Sequence, residues 1–355
     1  AVTATTTLWH LAWGYADSAK EFYASRGVDI VVVRAGVANR LTSSLRADLA
    51  NRLKSLPGID DVDASLTEMV SVGNAILVGI PLRGLSPTGF AIRTLSCSDG
   101  RTLRPDDRGA VLVGNGIAAA LGKKSGDSIN IEGQRFRVVG VAQARNPFDA
   151  NSIVANLSDV QDLMGRAGIV SEFQVRAAQS VSNEASLRKL CQVIELLQDA
   201  QHQPLGLKAQ PTHQFVGDAT EAKLGGATAW SITVIVVVLS FVGILNTMLM
   251  SVIERTEEIG VLRALGWKKR RVLRMILGES VVISLAGAII GLAVSWGLIR
   301  FLSEWSRTSL LVSPRISDAA LVSGFAVAII AGIAGALYPA SYAARMLPVE
   351  SLRYE

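Results

Sequence analysis

Three long stretches in the second half of this 355-residue chain are almost wholly apolar: residues 224–253 carry no charge, 275–299 only Glu279, and 319–344 none. Each exceeds the roughly 20 apolar residues with which a helix crosses a bilayer. Before residue 224 the pattern changes to short apolar runs among plentiful charges. Residues 28–34 (VDIVVVR) are a β-branched run that predicts a strand. Residues 41–56 follow with Leu45, Leu49, Leu53 and Leu56 at helical spacing, and Pro57 and Gly58 stop that helix. Strand-like runs then occupy residues 61–72. The pattern returns later, with a strand at 172–176 (EFQVR), a helix over 184–197 carrying Leu187, Leu190, Ile194 and Leu197 on one face, and a strand at 205–209. Two β-α-β units predict a split α+β sandwich. The insert between them, about residues 74–169, predicts a small, mainly β subdomain. Residues 128–131, a Glu132-Gly133 turn and residues 135–141 form a hairpin within it.

Composition agrees with a membrane protein. Hydrophobic residues make up 50% and charged residues 18%, with a mean hydropathy of +0.36, which excludes a wholly soluble enzyme and a disordered or collagen-like chain. The net charge of +5 is no sign of nucleic acid, because of where the cations sit. Arg255, Arg263, Lys268, Lys269, Arg270, Arg271 and Arg274 lie between the first two apolar stretches, and Arg345 and Arg353 in the tail. Between the second and third stretches only Arg300, Arg307 and Arg315 appear. The excess puts the 254–274 loop and the 345–355 tail in the cytoplasm, and residues 17–223 and the 300–318 loop outside. Trp230 and Trp296 then fall at the outer interface, and Trp267, Tyr338 and Tyr342 at or near the inner one. Residues 1–16 are uncharged. They fit the outer end of a first span, with an upstream extension bearing Lys or Arg, or a short helix lying on the membrane.

Candidate chemistry is sparse. Gly114, Gly116 and Ala119 after the run 111–113 match a dinucleotide fingerprint, but Gly122 interrupts after little more than one helical turn, too soon for a Rossmann crossover. Gly122-Lys123 lacks the first Gly and the Ser or Thr of a phosphate loop. His10, His202 and His213 are scattered, and no Cys or His lies at metal-ligand spacing. No G-x-S-x-G or H-E-x-x-H occurs, and Asp60-Asp61 and Asp106-Asp107 read as solvated loop pairs. Cys97 and Cys191 both fall in the external region, where either a disulfide or two free thiols is permitted. Nothing here argues for catalysis, for a metal, or for a cofactor bound by this chain.

The spans look like packed helices rather than anchors. Gly287 and Gly291 form G-x-x-x-G in the second, and Gly332 with Gly335 leaves a small-residue surface in the third. Asn246, Thr247 and Ser251 put polar groups in the first. Glu279 reads as an interfacial partner for Arg274, Arg271 or the region of Ser280. Residues 254–266 (ERTEEIGVLRALG) predict a short helix with Ile259, Leu262 and Leu265 along one side and Gly266 at its end. Glu254 and Glu258 stand as like charges four residues apart, a repulsion that a positively charged partner would remove. A connector resting on lipid headgroups is the alternative.

The residues IERTEEIGVLRALGW (253–267), the basic helix leading into Gly278-Glu279-Ser280, and the closing YPASYAARMLPVESLRYE (338–355) resemble the permease subunits of MacB/FtsX-type ABC transporters. The resemblance implies a four-span permease, of which the first span is missing or truncated here, with the 17–223 domain between spans one and two. It implies a dimer with a second copy or a paralogue in the inner (cytoplasmic) membrane. It also implies a separate ATPase chain carrying ATP and Mg, docked on a coupling helix that would comprise Glu254, Arg255, Glu258, Ile259, Gly260, Leu262, Arg263, Leu265 and Gly266. The implied mechanism is mechanotransmission serving efflux or envelope export, with a periplasmic adaptor or lipoprotein as client. An FtsX-like regulator that activates a cell-wall hydrolase is the alternative, and the large external domain favours the first.

Overall fold

The computed structural model describes residues 2–37, 40–73, 76–144, 146–181, 183–199, 201–304 and 318–346. Most of the 300–318 loop and most of the 345–355 tail therefore lie outside the described residues. The chain forms two compact units, one built on Tyr15–Lys223 and the other on the first residues to Gly14 together with Leu224–Leu302 and residues 318–346.

The N-terminal helix α1 (Val2–Ala24) runs without a break through the expected boundary at residue 16. In the external unit β1 (Ile30–Arg34) follows, then β2 (Leu45–Arg46), α2 (Leu49–Lys54) and the 14-residue β3 (Ile59–Val72). The helix is thus shorter than the leucine spacing predicts. Leu45 pairs instead with Val170 in a two-stranded ladder, yet its side chain still joins Leu49 and Leu53 in one core. Asp60 and Asp61 are on β3 rather than in a loop, and Asp61 pairs with Lys54 at 2.8 Å.

Next come β4 (Leu77–Leu85), α3 (Phe90–Arg93), β5 (Cys97–Gly100), β6 (Ala110–Gly114), α4 (Asn115–Leu121), β7 (Ser128–Ile131) and β8 (Gln134–Ala142). After them stand α5 (Pro147–Ala150), β9 (Ile153–Asn156), α6 (Leu157–Leu163), β10 (Ile169–Val170), β11 (Glu172–Ala177), α7 (Glu184–Glu195), β12 (Leu207–Pro211) and α8 (Thr212–Asp218).

The strand order β12-β1-β11-β3 is antiparallel throughout, so β1-α2-β3 and β11-α7-β12 interleave as the predicted split β-α-β pair. Strand β1 is apolar at every residue before Arg34 because both its faces are covered. Ile30 and Val32 pack with Leu53, Leu190 and Ile194 of α2 and α7, whereas Val31 and Val33 pack with Phe22 and Tyr23 of α1. The insert is rich in β-strands, as expected. Its strands continue the same sheet through β3-β4-β9-β6-β8-β5, because β3 is long enough to pair with β11 at one end and β4 at the other. A second core, built on Leu66, Ile80, Val113, Ile131 and Ile153, fills that half.

The other aspartate pair also departs from expectation, since Asp107 is buried while Asp106 is exposed. Asp107 takes two bonds from Arg101, at 2.6 and 2.7 Å, and one from the Arg104 amide. The Arg101 bonds hold its carboxyl at about 2, below the usual 3.8. A carboxyl depressed in the folded state stabilises above its unfolded pKa, and that stabilisation disappears as pH falls through the folded value. Asp107→Asn is therefore expected to cost ~1–2 kcal/mol at pH 7. The gap from wild type should close as pH falls from 4 to 2 in denaturant titrations of the full chain.

Cys97 and Cys191 are free thiols. Burial raises both, with Cys191 reaching about 12 under the added repulsion of Glu195. In native protein iodoacetamide is expected to label half-buried Cys97 first and Cys191 only after unfolding. Labelling of neither thiol without reductant would indicate a bridge.

The membrane unit adds α9 (Thr220–Glu254), α10 (Thr256–Ala264), α11 (Lys269–Glu304) and α12 (Asp318–Arg345). Among the described residues, α9, α11 and α12 are the three helices long and apolar enough to cross a membrane. The first turns of α1 pack against them. Thr3 donates to the Gly291 carbonyl at 3.0 Å, Thr7 and Ser295 share a bond of 2.9 Å, and Trp9 donates to Thr233 at 2.9 Å.

Candidate functional site

The segment singled out by its pattern forms α10, set off from α9 by a bend at Arg255. That bend places Glu254 at the end of one helix and Glu258 in the first turn of the next. The two glutamates therefore stand on successive helices rather than on one. Glu257 and Glu258 lie instead at the positive end of the α10 dipole, which favours them. Thr256 ties the bend to α9 by donating to the Val252 and Ile253 carbonyls at 3.1 and 2.8 Å.

Gly266 closes α10 with φ of +92°, a conformation few other residues adopt. The Gly266 amide reaches the Arg263 carbonyl and the Trp267 amide reaches that of Leu262, the paired bonds of a Schellman stop. Arg263 donates to the Trp267 carbonyl at 3.2 Å, and the Arg271 guanidinium stacks 4.3 Å over the Trp267 ring.

Ile259 is the anchor. It is 3% exposed and packs with Val252, Val272, Ile276, Ala340 and Ala343 of the three spans, and Gly260 beside it is also buried. Leu262 is half-buried and Leu265 is 75% exposed. The three do not share one side, because each three-residue step turns the helix about 300° and successive residues drift by about 60°. The outward face of this elbow carries Glu254, Glu257, Glu258, Val261 and Leu265, all exposed.

Three of the four glycines lie at close helix approaches. A Cβ on Gly291 would meet Val2 of α1 at 2.9 Å, one on Gly332 would meet the Ser284 hydroxyl of α11, and one on Gly335 would meet Ile244 of α9 at 2.9 Å. Gly287 has open space instead. Ser280 of α11 donates to the Gly332 carbonyl at 2.7 Å. The Glu279 carboxylate pairs with Arg255 at 3.3 Å rather than with Arg271 or Arg274. The bend between α9 and α10 turns Arg255 toward it, which spacing along the chain did not reveal.

The dinucleotide-like run forms β6 and the two-turn α4, and Gly114 and Gly116 are packed against the Asp149–Asn151 backbone and side chains. A Cβ at either would strike those atoms, which accounts for the glycines by packing. No cluster of metal-ligating side chains exists among the described residues.

Family models match both units, the FtsX-like permease C-terminal model over residues 230–348 and the MacB-like periplasmic core domain model over residues 1–192. The chain belongs to the MacB/FtsX-type family of ABC permeases. It is a membrane protein with an external domain of the MacB periplasmic core type.

The macrolide export ATP-binding/permease protein MacB of Bdellovibrio bacteriovorus is 28% identical across 100% of this chain and 58% of its own length. This permease thus spans little more than half of that relative. The ABC transporter permease MJ1507 of Methanocaldococcus jannaschii is 30% identical over 72% of this chain and 65% of its own. The crystal structure of the extracellular domain of the noncanonic ABC-type transporter YknZ covers 52% of this chain and 99% of that domain, with 18% identity and a TM-score of 0.41.

Proposed function

We propose that this chain is a non-catalytic membrane subunit that couples ATP hydrolysis in a separate ATPase chain to movement of its own external domain, by mechanotransmission. The reading rests on one observation above the others. Helix α10 is fixed to all three spans through Ile259 while turning Glu257, Glu258, Val261 and Leu265 outward. A partner that pushes on this face displaces the ends of all three spans together. ATP and Mg belong to the partner in this reading, and this chain supplies the lever.

The process served is efflux or envelope and lipoprotein export, in a dimer with a second copy or a paralogue in the inner (cytoplasmic) membrane. The name of the Bdellovibrio relative supports export. A periplasmic adaptor or lipoprotein is the expected external client. The spans support a mechanical rather than a conducting role, because Glu279 is the one ionisable residue within the three apolar stretches and it is already paired.

The test is purification of the full-length protein from its native membrane in mild detergent, with mass spectrometry of what stays bound. An ABC ATPase is expected, together with an adaptor or lipoprotein. Purification without any ATPase would overturn the reading.

A further inference from the structure

Arg26, Arg83 and Asp149 meet inside the external domain, and all three are buried. They come from separate elements: the turn that closes α1, strand β4 and helix α5. Arg26 is bonded through both its Nη atoms, Nη2 donating to Asp149 Oδ1 at 2.5 Å and Nη1 to the Phe22 carbonyl at 2.6 Å, while its Nε has no partner. Arg83 Nη1 stands 3.6 Å from the same Asp149 oxygen, and neither of its Nη atoms has a hydrogen-bond partner.

The ring of Phe22 lies beside both cations, 4.1 Å from the Arg26 guanidinium and 4.2 Å from that of Arg83. Asn146 fixes the carboxylate on α5, donating to Oδ2 at 3.1 Å and accepting from the Asp149 amide at 2.9 Å. Another buried carboxylate, Glu172, is engaged by Tyr23 at 3.0 Å and Gln174 at 2.7 Å. Asp149 is thus one oxygen faced by two buried arginines, only one of which it bonds.

A buried guanidinium without a partner is expensive, and so is a buried carboxylate that loses one. We propose that Asp149 is a shared counter-ion, handed from Arg26 to Arg83 when the last turn of α1 is displaced. Arg83 is a standby partner that rests on the Phe22 ring until that turn moves. Closing 3.6 Å to bonding distance requires less than 1 Å of movement. The hand-over lets α1 loosen from the β4–α5 region without isolating a charge in the interior. The device is thus a release joint between the last turn of α1 and the β4–α5 region. Its use in transmission rests on the permease function proposed above; the exchange of partners does not.

The test is a double-mutant cycle on the full chain in lipid nanodiscs, using Arg26→Met, Arg83→Met and the pair, read by hydrogen exchange of residues 146–156. With a standby partner, each single variant leaves Asp149 paired and accelerates exchange by less than about tenfold. The double variant should exceed the product of the two by about tenfold or more. Adding Asp149→Asn to the double variant removes the isolated charge and should restore slow exchange, which keeps the test decisive if the double variant unfolds. Equality of the double variant with the product of the singles, or no rescue by Asp149→Asn, overturns the proposal. Capture of an ATPase by the wild-type chain is scored separately, so failure of the joint and failure of the permease function are distinguishable.

Discussion

Reversing the charge at Glu258 is expected to strip the ATPase from the purified permease while leaving the external domain intact. Glu258 is exposed and sits in the first turn of α10, and among the described residues no salt bridge involves it, so Glu258→Lys breaks no ion pair there. Against a positively charged docking surface it replaces attraction by repulsion, which costs about 2 kcal/mol or more at a desolvated contact, or roughly 30-fold in affinity. Leu265→Asp, at the far end of the same outward face, should act in the same direction by placing a charge in an apolar contact. Quantitative co-purification measures both, and a thermal melt of each variant shows that the chain still folds. Retention of the ATPase by both variants at wild-type levels would remove α10 from the interface. Ile259 is unsuitable for this purpose, because it is buried against the spans and its truncation would weaken the bundle itself.

The difference between Ile259 and Leu265 marks where the sequence was legible and where it was not. Long apolar stretches have one physical explanation, and the three helices lie where they were expected. The interleaved β-α-β pair was equally legible, because a β-branched run followed by leucines at helical spacing permits few arrangements. What failed depended on contacts distant in sequence. Leu45 was assigned to a helix because spacing alone cannot detect its pairing with Val170. No local pattern reveals that β3 serves two neighbours, so the continuity of the insert's strands with the first sheet was not legible. Asp107 reads from the sequence as a solvated loop charge, and nothing there singles out Arg26 or Arg83, since a charged residue shows its burial only when its partners are known. Their partners lie 6, 123 and 66 positions away, at Arg101 for the first and at Asp149 for the other two. In α10, residue types and the closing glycine were visible, but the bend at Arg255 and its bond to Glu279 were not. Polar residues in α9 needed less than expected, because Thr247 donates to the Gly243 carbonyl of its own helix at 2.9 Å.

The glycines of α12 give the second large effect. A side chain at Gly335 would start 2.9 Å from Ile244 Cβ and 3.1 Å from the Phe241 carbonyl oxygen of α9, and one at Gly332 would run into Ser284 of α11. The carbonyl cannot yield without moving α9, and the Cβ of Ile244 is close to the backbone and nearly as constrained. Gly332→Val and Gly335→Val are each expected to cost about 1–3 kcal/mol through overpacking. Gly332→Val should also break the bond from Ser280, which reaches the carbonyl of the same residue. Combined, the two substitutions act on different neighbours and should approach additivity. Gly287→Val is the control, since nothing lies within 4 Å of its Cβ position, and its effect should stay within about 0.5 kcal/mol. Thermal melts in detergent compare all four variants. If Gly287→Val destabilises as much as Gly335→Val, the close face of α12 is not what holds these spans together. If the ordering holds, the same variants can be carried into the ATPase assay, where loosening α12 from α9 and α11 should uncouple the permease even with α10 untouched, because Ile259 bears on Ala340 and Ala343 of the same helix.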